Sequence, residues 1–191
     1  MIHQALAGAL FHPRQQLRRS RQDQPLAAVL GAYLLAGFSW VLSDYLVHGQ
    51  TRQPFSLFVD SCIYWMLLAT AMGLAMIFAN FFAELLGGRT DQNALFWGIA
   101  QSTAPLALLV PMTLMALPLG ELAGVLYLPG KLAVFLWVFA AQVVAISEAC
   151  ALSVARATFV FFMGCGSAML GYFLLSMLVP LAFIAKLQLL F

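Results

Sequence analysis

Charge is scarce in this chain. Of 191 residues, nine are Lys or Arg and seven are Asp or Glu, so 8% are charged, where a soluble domain carries roughly 25%. That shortage excludes an ordinary globular protein folded in water, and no nucleic-acid partner is expected. Cysteine is scarce too: Cys62, Cys150 and Cys165 sit within or beside apolar stretches, where they act as small apolar side chains, and no disulfide is expected. Histidine is limited to His3, His12 and His48, all outside those stretches and without metal-ligand spacing. Neither a His-based triad nor a zinc site can then be assembled within a bilayer, so the chain reads as neither an enzyme nor a cofactor protein. Period-2 alternation is missing, which disfavours a membrane barrel. Low-complexity tracts and clear internal repeats are missing as well.

What the chain has instead is long apolar runs, within a composition that is 63% hydrophobic. Crossing a bilayer core of about 30 Å takes about 20 apolar residues in a helix, the form that satisfies every backbone group internally. Leu26–Val47 holds only Asp44, and Ser61–Ala83 holds no formal charge. Gln92–Gly120 is uncharged but contains Pro105, Pro111 and Pro118; Leu132–Ser147 lies between Lys131 and Glu148, and Ala157–Ala185 between Arg156 and Lys186. The expected fold is all-α: a polytopic membrane bundle of five transmembrane helices over residues 25–191, preceded by a basic segment at 1–24. The linkers are too short for a second domain.

In that segment Ile2, Leu6, Ala9, Leu10, Pro13 and Leu17 fall near one helical stripe, while Arg14, Arg18 and Arg21 share another. The pattern fits an amphipathic helix on an anionic cytoplasmic surface, or a basic tail that only sets topology. With the amino end cytoplasmic, Arg14, Arg18, Arg19, Arg21, Arg89 and Arg156 share its side, against Arg52, Lys131 and Lys186 opposite. Six against three follows the positive-inside bias and places the carboxyl end outside. The polar, arginine-bearing start carries no visible signal peptide.

The stretch Glu84-Leu85-Leu86-Gly87-Gly88-Arg89-Thr90-Asp91 reads as a tight turn between antiparallel helices. A glycine past a helix end takes the left-handed cap, and Thr90 or Asp91 is placed to cap the next helix. The spaced glycines followed by Lys-Ser or Lys-Thr of a phosphate loop are missing.

Leu85-Leu-Gly-Gly-Arg-Thr-Asp91 followed by Ala100-Gln-Ser-Thr-Ala-Pro105-Leu106 resembles the central signature of the Yip1 domain family in its bacterial branch. Leu10-Phe-His-Pro-Arg14 resembles the short segment preceding the first helix of bacterial members, and Ile146-Ser-Glu148 through Arg156-Ala157 resembles the turn between their last two helices. The resemblance covers most of the chain. It implies a five-helix integral membrane protein with a cytoplasmic amino end, in a bacterial inner membrane, with an endoplasmic reticulum or Golgi membrane as the second placement. Eukaryotic relatives bind Rab GTPases in vesicle traffic. This chain lacks their long amino-terminal region and Asp-Leu-Tyr-Gly-Pro motif, so Rab binding does not carry over.

Three functional readings follow. Glu84, Arg89, Asp91, Glu148 and Arg156 belong to two turns on one side of the membrane and form a candidate docking surface, with Gly87, Gly88 and Pro105 shaping turn and kink. Their opposite charges serve equally well to pair with one another. The small-residue stripe Ala71, Ala75, Ala79 and Ala83, with Gly164/Ala168 and Ser167/Gly171, suits helix packing or a partner helix. Asn80, Glu84, Gln101, Ser102, Thr103, Gln142, Ser147 and Glu148 would line a transport path if they converged. Asp44 and Asp60 read as interfacial carboxylates reaching water or Arg52. The function expected is a non-catalytic scaffold, assembly or membrane-organising factor whose partners are membrane lipids and a membrane protein or a second copy; the alternative is a small-solute or ion transporter.

Overall fold

In the computed structural model, residues 26–47, 54–120 and 122–188 are described, and among them every regular element is a helix. The amino-terminal segment 1–24 and the loop holding His48 and Arg52 lie outside the described residues. The elements run α1 (Leu26–Val47), α2 (Pro54–Leu85), α3 (Gln92–Ser102), a 3-10 turn (Ala104–Leu108), α4 (Leu109–Ala116), a second 3-10 turn (Leu117–Leu119), α5 (Leu122–Ala149) and α6 (Val154–Gln188). Phe55–Leu85, Gln92–Leu119, Val125–Ala149 and Val154–Gly171 are each long and apolar enough to cross a bilayer. With 22 residues, α1 spans about 33 Å and supplies the fifth crossing. The expected all-helical membrane bundle is the fold observed.

The largest departures from the reading by charge are at two boundaries. The second helix begins at Pro54 rather than Ser61, so Asp60 lies inside it. The fourth span begins at Leu122, directly after a sharp turn at Gly120 (φ +60°), and continues through Pro129, placing Lys131 inside the helix rather than at its edge. Charge marks where a helix tolerates water; it does not end the backbone ladder.

The third span is broken where its prolines require it. Pro105 sits at the start of the first 3-10 turn, a position compatible with its missing N–H. Pro111 cannot donate to the carbonyl of Ala107, and the Ser39 hydroxyl on α1 supplies that bond instead at 3.1 Å while accepting from the Val110 amide at 3.1 Å. A break inside lipid survives when a neighbouring hydroxyl satisfies the freed groups in this way. Helix α1 is thereby seated against the broken span.

Helices α2 and α6 pack through the small-residue stripes. A Cβ on Gly164 would stand 3.2 Å from the Ala75 carbonyl oxygen, and Ala79, Ala83 and Ala168 are buried. Ala79, Ala83, Gly164 and Ala168 therefore serve internal packing, whereas Ala71 is exposed and a Cβ on Gly171 would meet open space. Large apolar side chains also face outward, with Met66, Met115 and Met169 73–79% exposed, as expected of a surface solvated by lipid.

Candidate functional site

The two turns that carry the candidate charges are joined backbone to backbone. At the end of α2 the Gly88 amide donates to the Ala83 carbonyl (2.8 Å) and the Gly87 amide to that of Glu84 (3.0 Å), with Gly87 at φ +76°. This is a Schellman closure built on the residue type that tolerates the left-handed region. Asp91 then caps α3, its carboxylate accepting from the Ala94 amide at 3.1 Å. Both features were expected from the sequence.

Beyond that, the strand of turn between them docks on the end of α5. The Arg89 amide donates to the Cys150 carbonyl (3.1 Å) and the Asp91 amide to that of Ala149 (3.0 Å). Gly88 lies so close that a Cβ would stand 2.9 Å from the carbonyl oxygens of both Ala83 and Cys150. On the other side, the Leu152 amide donates to the Ser147 carbonyl (3.0 Å) and the Ser147 hydroxyl to the Leu152 carbonyl (2.7 Å). Ala151 takes φ +53° in that closure. An Arg156 guanidinium nitrogen reaches back to the Leu86 carbonyl at 3.4 Å, and the Thr90 hydroxyl donates to the Cys150 sulfur at 3.8 Å. Burial pushes the Cys150 thiol above its ordinary value, with the Thr90 contact acting the opposite way, which favours the neutral thiol.

In this clasp Glu84, Arg89 and Arg156 are exposed, while Asp91 and Glu148 are half-buried. Asp91 is engaged as a helix cap, which separates it from the other four. Pro105 is buried in the middle of the third span and does not belong to this face.

The end of the bundle opposite the clasp holds a cluster that the sequence did not assemble. Lys131 on α5 pairs with Asp44 on α1 at 2.6 Å, and the Tyr127 hydroxyl donates to the same carboxylate oxygen at 3.0 Å. Ser43 and Tyr127 share a hydroxyl contact of 2.9 Å. The Lys131 ammonium lies 4.7 Å above the Trp40 ring and 5.3 Å from that of Tyr127. On the α2 side the Tyr45 hydroxyl donates to Asp60. Asp44 thus meets Lys131, not water alone. The available signal was Tyr127 and Lys131, four residues apart on one helical face, but Pro129 and Gly130 between them disguised the helix.

Several of the polar residues proposed for a transport path are engaged locally with backbone carbonyls. Ser102 and Thr103 donate to carbonyls of their own helix at 2.6 and 2.8 Å, and Ser147 closes the end of α5. Gln142 lines a partly open pocket of about 150 Å³ that is otherwise mostly apolar, with Ala71, Met72 and Phe161 among its walls. The side-chain amide oxygen Oδ1 of Asn80 is buried without a hydrogen-bond partner among the described residues. Among the described residues no group of three His, Cys, Asp or Glu side chains is placed to hold a metal.

Compared with known proteins, the chain matches no family model, no curated protein and no solved structure.

Proposed function

We propose that this chain is a non-catalytic, multi-pass protein of a bacterial inner membrane, acting as a scaffold, assembly or membrane-organising factor through the clasp end of its bundle. The observation that carries the reading is the clasp itself. Backbone bonds between residues 89–91 and 149–150 hold two turns in fixed register, and the exposed side chains of Glu84, Arg89 and Arg156 rise from that base. A backbone-bonded base carrying exposed charges of both signs suits contact with an acidic partner surface or lipid headgroups, because the ordering cost falls on few side chains. The Yip1-like Leu-Leu-Gly-Gly-Arg-Thr-Asp segment forms half of this face, which supports a family role based on contacts. The six-to-three distribution of basic residues supports a cytoplasmic clasp, with amino end inside and carboxyl end outside. The transporter alternative draws less support, since Ser102, Thr103 and Ser147 are engaged with backbone carbonyls.

Single-cysteine labelling beside Arg89 in intact cells tests the sidedness: reaction only with permeant reagents is expected, and labelling by an impermeant reagent from outside reverses the assignment. Charge reversal tests the contact. Arg89→Glu or Arg156→Glu is expected to abolish co-purification of a stoichiometric partner in mild detergent while expression and Tm stay nearly unchanged. Full retention in both variants moves the contact to the lipid-facing helix surfaces.

A further inference from the structure

The pocket of about 150 Å³ among α2, α3, α5 and α6 combines three features. Its mouth opens within the bilayer: Ala71, one of its walls, lies midway along the 32-residue α2 (Pro54–Leu85) and is exposed, so acyl chains rather than water stand at the entrance. Gln142 is the one amide among its lining side chains, and that amide makes no hydrogen bond to any described residue. The remaining walls include two sulfur side chains, Met72 and Cys165, and the ring of Phe161, itself held edge-on by Phe139 at a centroid distance of 4.9 Å.

We propose that this pocket binds a six-membered ring bearing an oxygen, as carried by membrane-dissolved quinones and phenols, with the oxygen paired to the Gln142 amide and any tail left in the bilayer. The inference goes beyond the clasp reading and does not depend on it. In lipid an apolar guest gains nothing by leaving acyl chains that are as apolar as the pocket, so shape alone selects no ligand. The amide does select. An amide without a partner in hydrocarbon is costly, and an acyl chain at mid-helix depth carries no hydrogen-bonding atom to relieve it. A quinone oxygen accepts from the Gln142 Nε2, and a phenol donates to its Oε1. The volume fits the ring, since an apolar cavity of about 150 Å³ is enough to hold benzene. The walls favour a π system over an alkyl chain, because thioether sulfur and a phenylalanine ring both make attractive contacts with aromatic rings.

The test loads the full-length protein in detergent micelles with probes that share a decyl tail and differ in the ring: a benzoquinone, a phenol and a plain benzene. Bound copies are counted by native mass spectrometry. The quinone or the phenol is expected at one copy per chain, roughly fivefold or more above the benzene, the span of one hydrogen bond formed in lipid. Whichever of the two leads tells whether the amide donates or accepts, and either supports the proposal. Gln142→Leu is expected to bring the three probes level, because it keeps the bulk and removes the pairing group. Ala71→Leu, at the exposed mouth, is expected to lower retention of the oxygen-bearing rings at unchanged Tm. Equal retention of the three probes by the unmodified protein overturns the proposal and leaves the amide to a water molecule. An intact preference in Gln142→Leu overturns it too, as does unchanged retention in Ala71→Leu, which places the rings elsewhere on the bundle. If Gln142→Leu does not fold, the probe comparison and Ala71→Leu decide the matter.

Discussion

The two ends of this bundle are held together by different physics. At the clasp end the joints are backbone hydrogen bonds, two Schellman-type closures and a carboxylate cap, and the charged side chains Glu84, Arg89 and Arg156 remain exposed above them. At the opposite end a charge pair, a tyrosine and an indole join α1 to α5 through side chains alone. Backbone joints fix geometry almost regardless of side-chain identity, so the charges over them are free to be used for contact. Side-chain joints make the charges themselves the structure. Charge is scarce in the composition, and under the proposed function the same residue types serve contact at one end and structure at the other.

The sharpest way to break that contrast is at the opposite end. Lys131 and Asp44 are 19% and 34% exposed, between the surface and fully buried limits. Asp44→Leu or Lys131→Met, by leaving one charge without its partner beside lipid, is expected to cost about 2–4 kcal/mol in a bicelle unfolding assay. The double variant should lose much less than the sum of the singles. Additive losses would show that the pair is not a joint.

Steric change at the clasp ranks next. Gly88→Val places a branched side chain against two backbone carbonyls that cannot swing away, with an expected cost of about 1–3 kcal/mol. Gly87→Val meets open space and suffers only from its backbone at φ +76°, again about 1–3 kcal/mol. The Ala variants separate the two, since Gly87→Ala is strained only through φ while Gly88→Ala, at an ordinary φ, must move backbone. Unchanged detergent stability in both Val variants would contradict the clasp.

The smallest effect has the opposite sign. Ala151 holds φ +53°, a region costing most L-residues roughly 1–2 kcal/mol, so Ala151→Gly is expected to gain about 0.5–1 kcal/mol after the greater chain entropy of glycine is counted. A loss would mean that the Ala151 methyl contributes more to packing than its backbone strain costs.

Local features were the legible ones. Leu26–Val47 could be read directly, because an apolar run bounded by polar segments has one solution in lipid. Gly87, Gly88 and Asp91 were legible because each cap requires a particular residue type at a particular place. Three things were not. The docking of the Arg89 and Asp91 amides on Ala149 and Cys150 involves backbone atoms, which every residue possesses and no residue advertises. Ala151 adopts a left-handed cap with a residue that gives no sign of it. The Asp44–Lys131 joint bridges 87 positions in sequence and depends on α5 passing through Pro129, where the local signal favours a stop. Ser39 is a related case: its role follows from Pro111, on another span, lacking an N–H.

The central claim is that charge serves contact at the clasp and stability at the opposite end, and one paired measurement tests it most directly. Tm and stoichiometric partner retention are read on the same preparations of the Arg89→Glu/Arg156→Glu double variant and of Asp44→Leu. The account predicts a crossed result: the clasp variant keeps its Tm and loses the partner, while Asp44→Leu loses Tm and, below its transition, keeps the partner. A clasp variant that melts early with its partner still bound, beside an Asp44→Leu protein of unchanged Tm, would contradict the account.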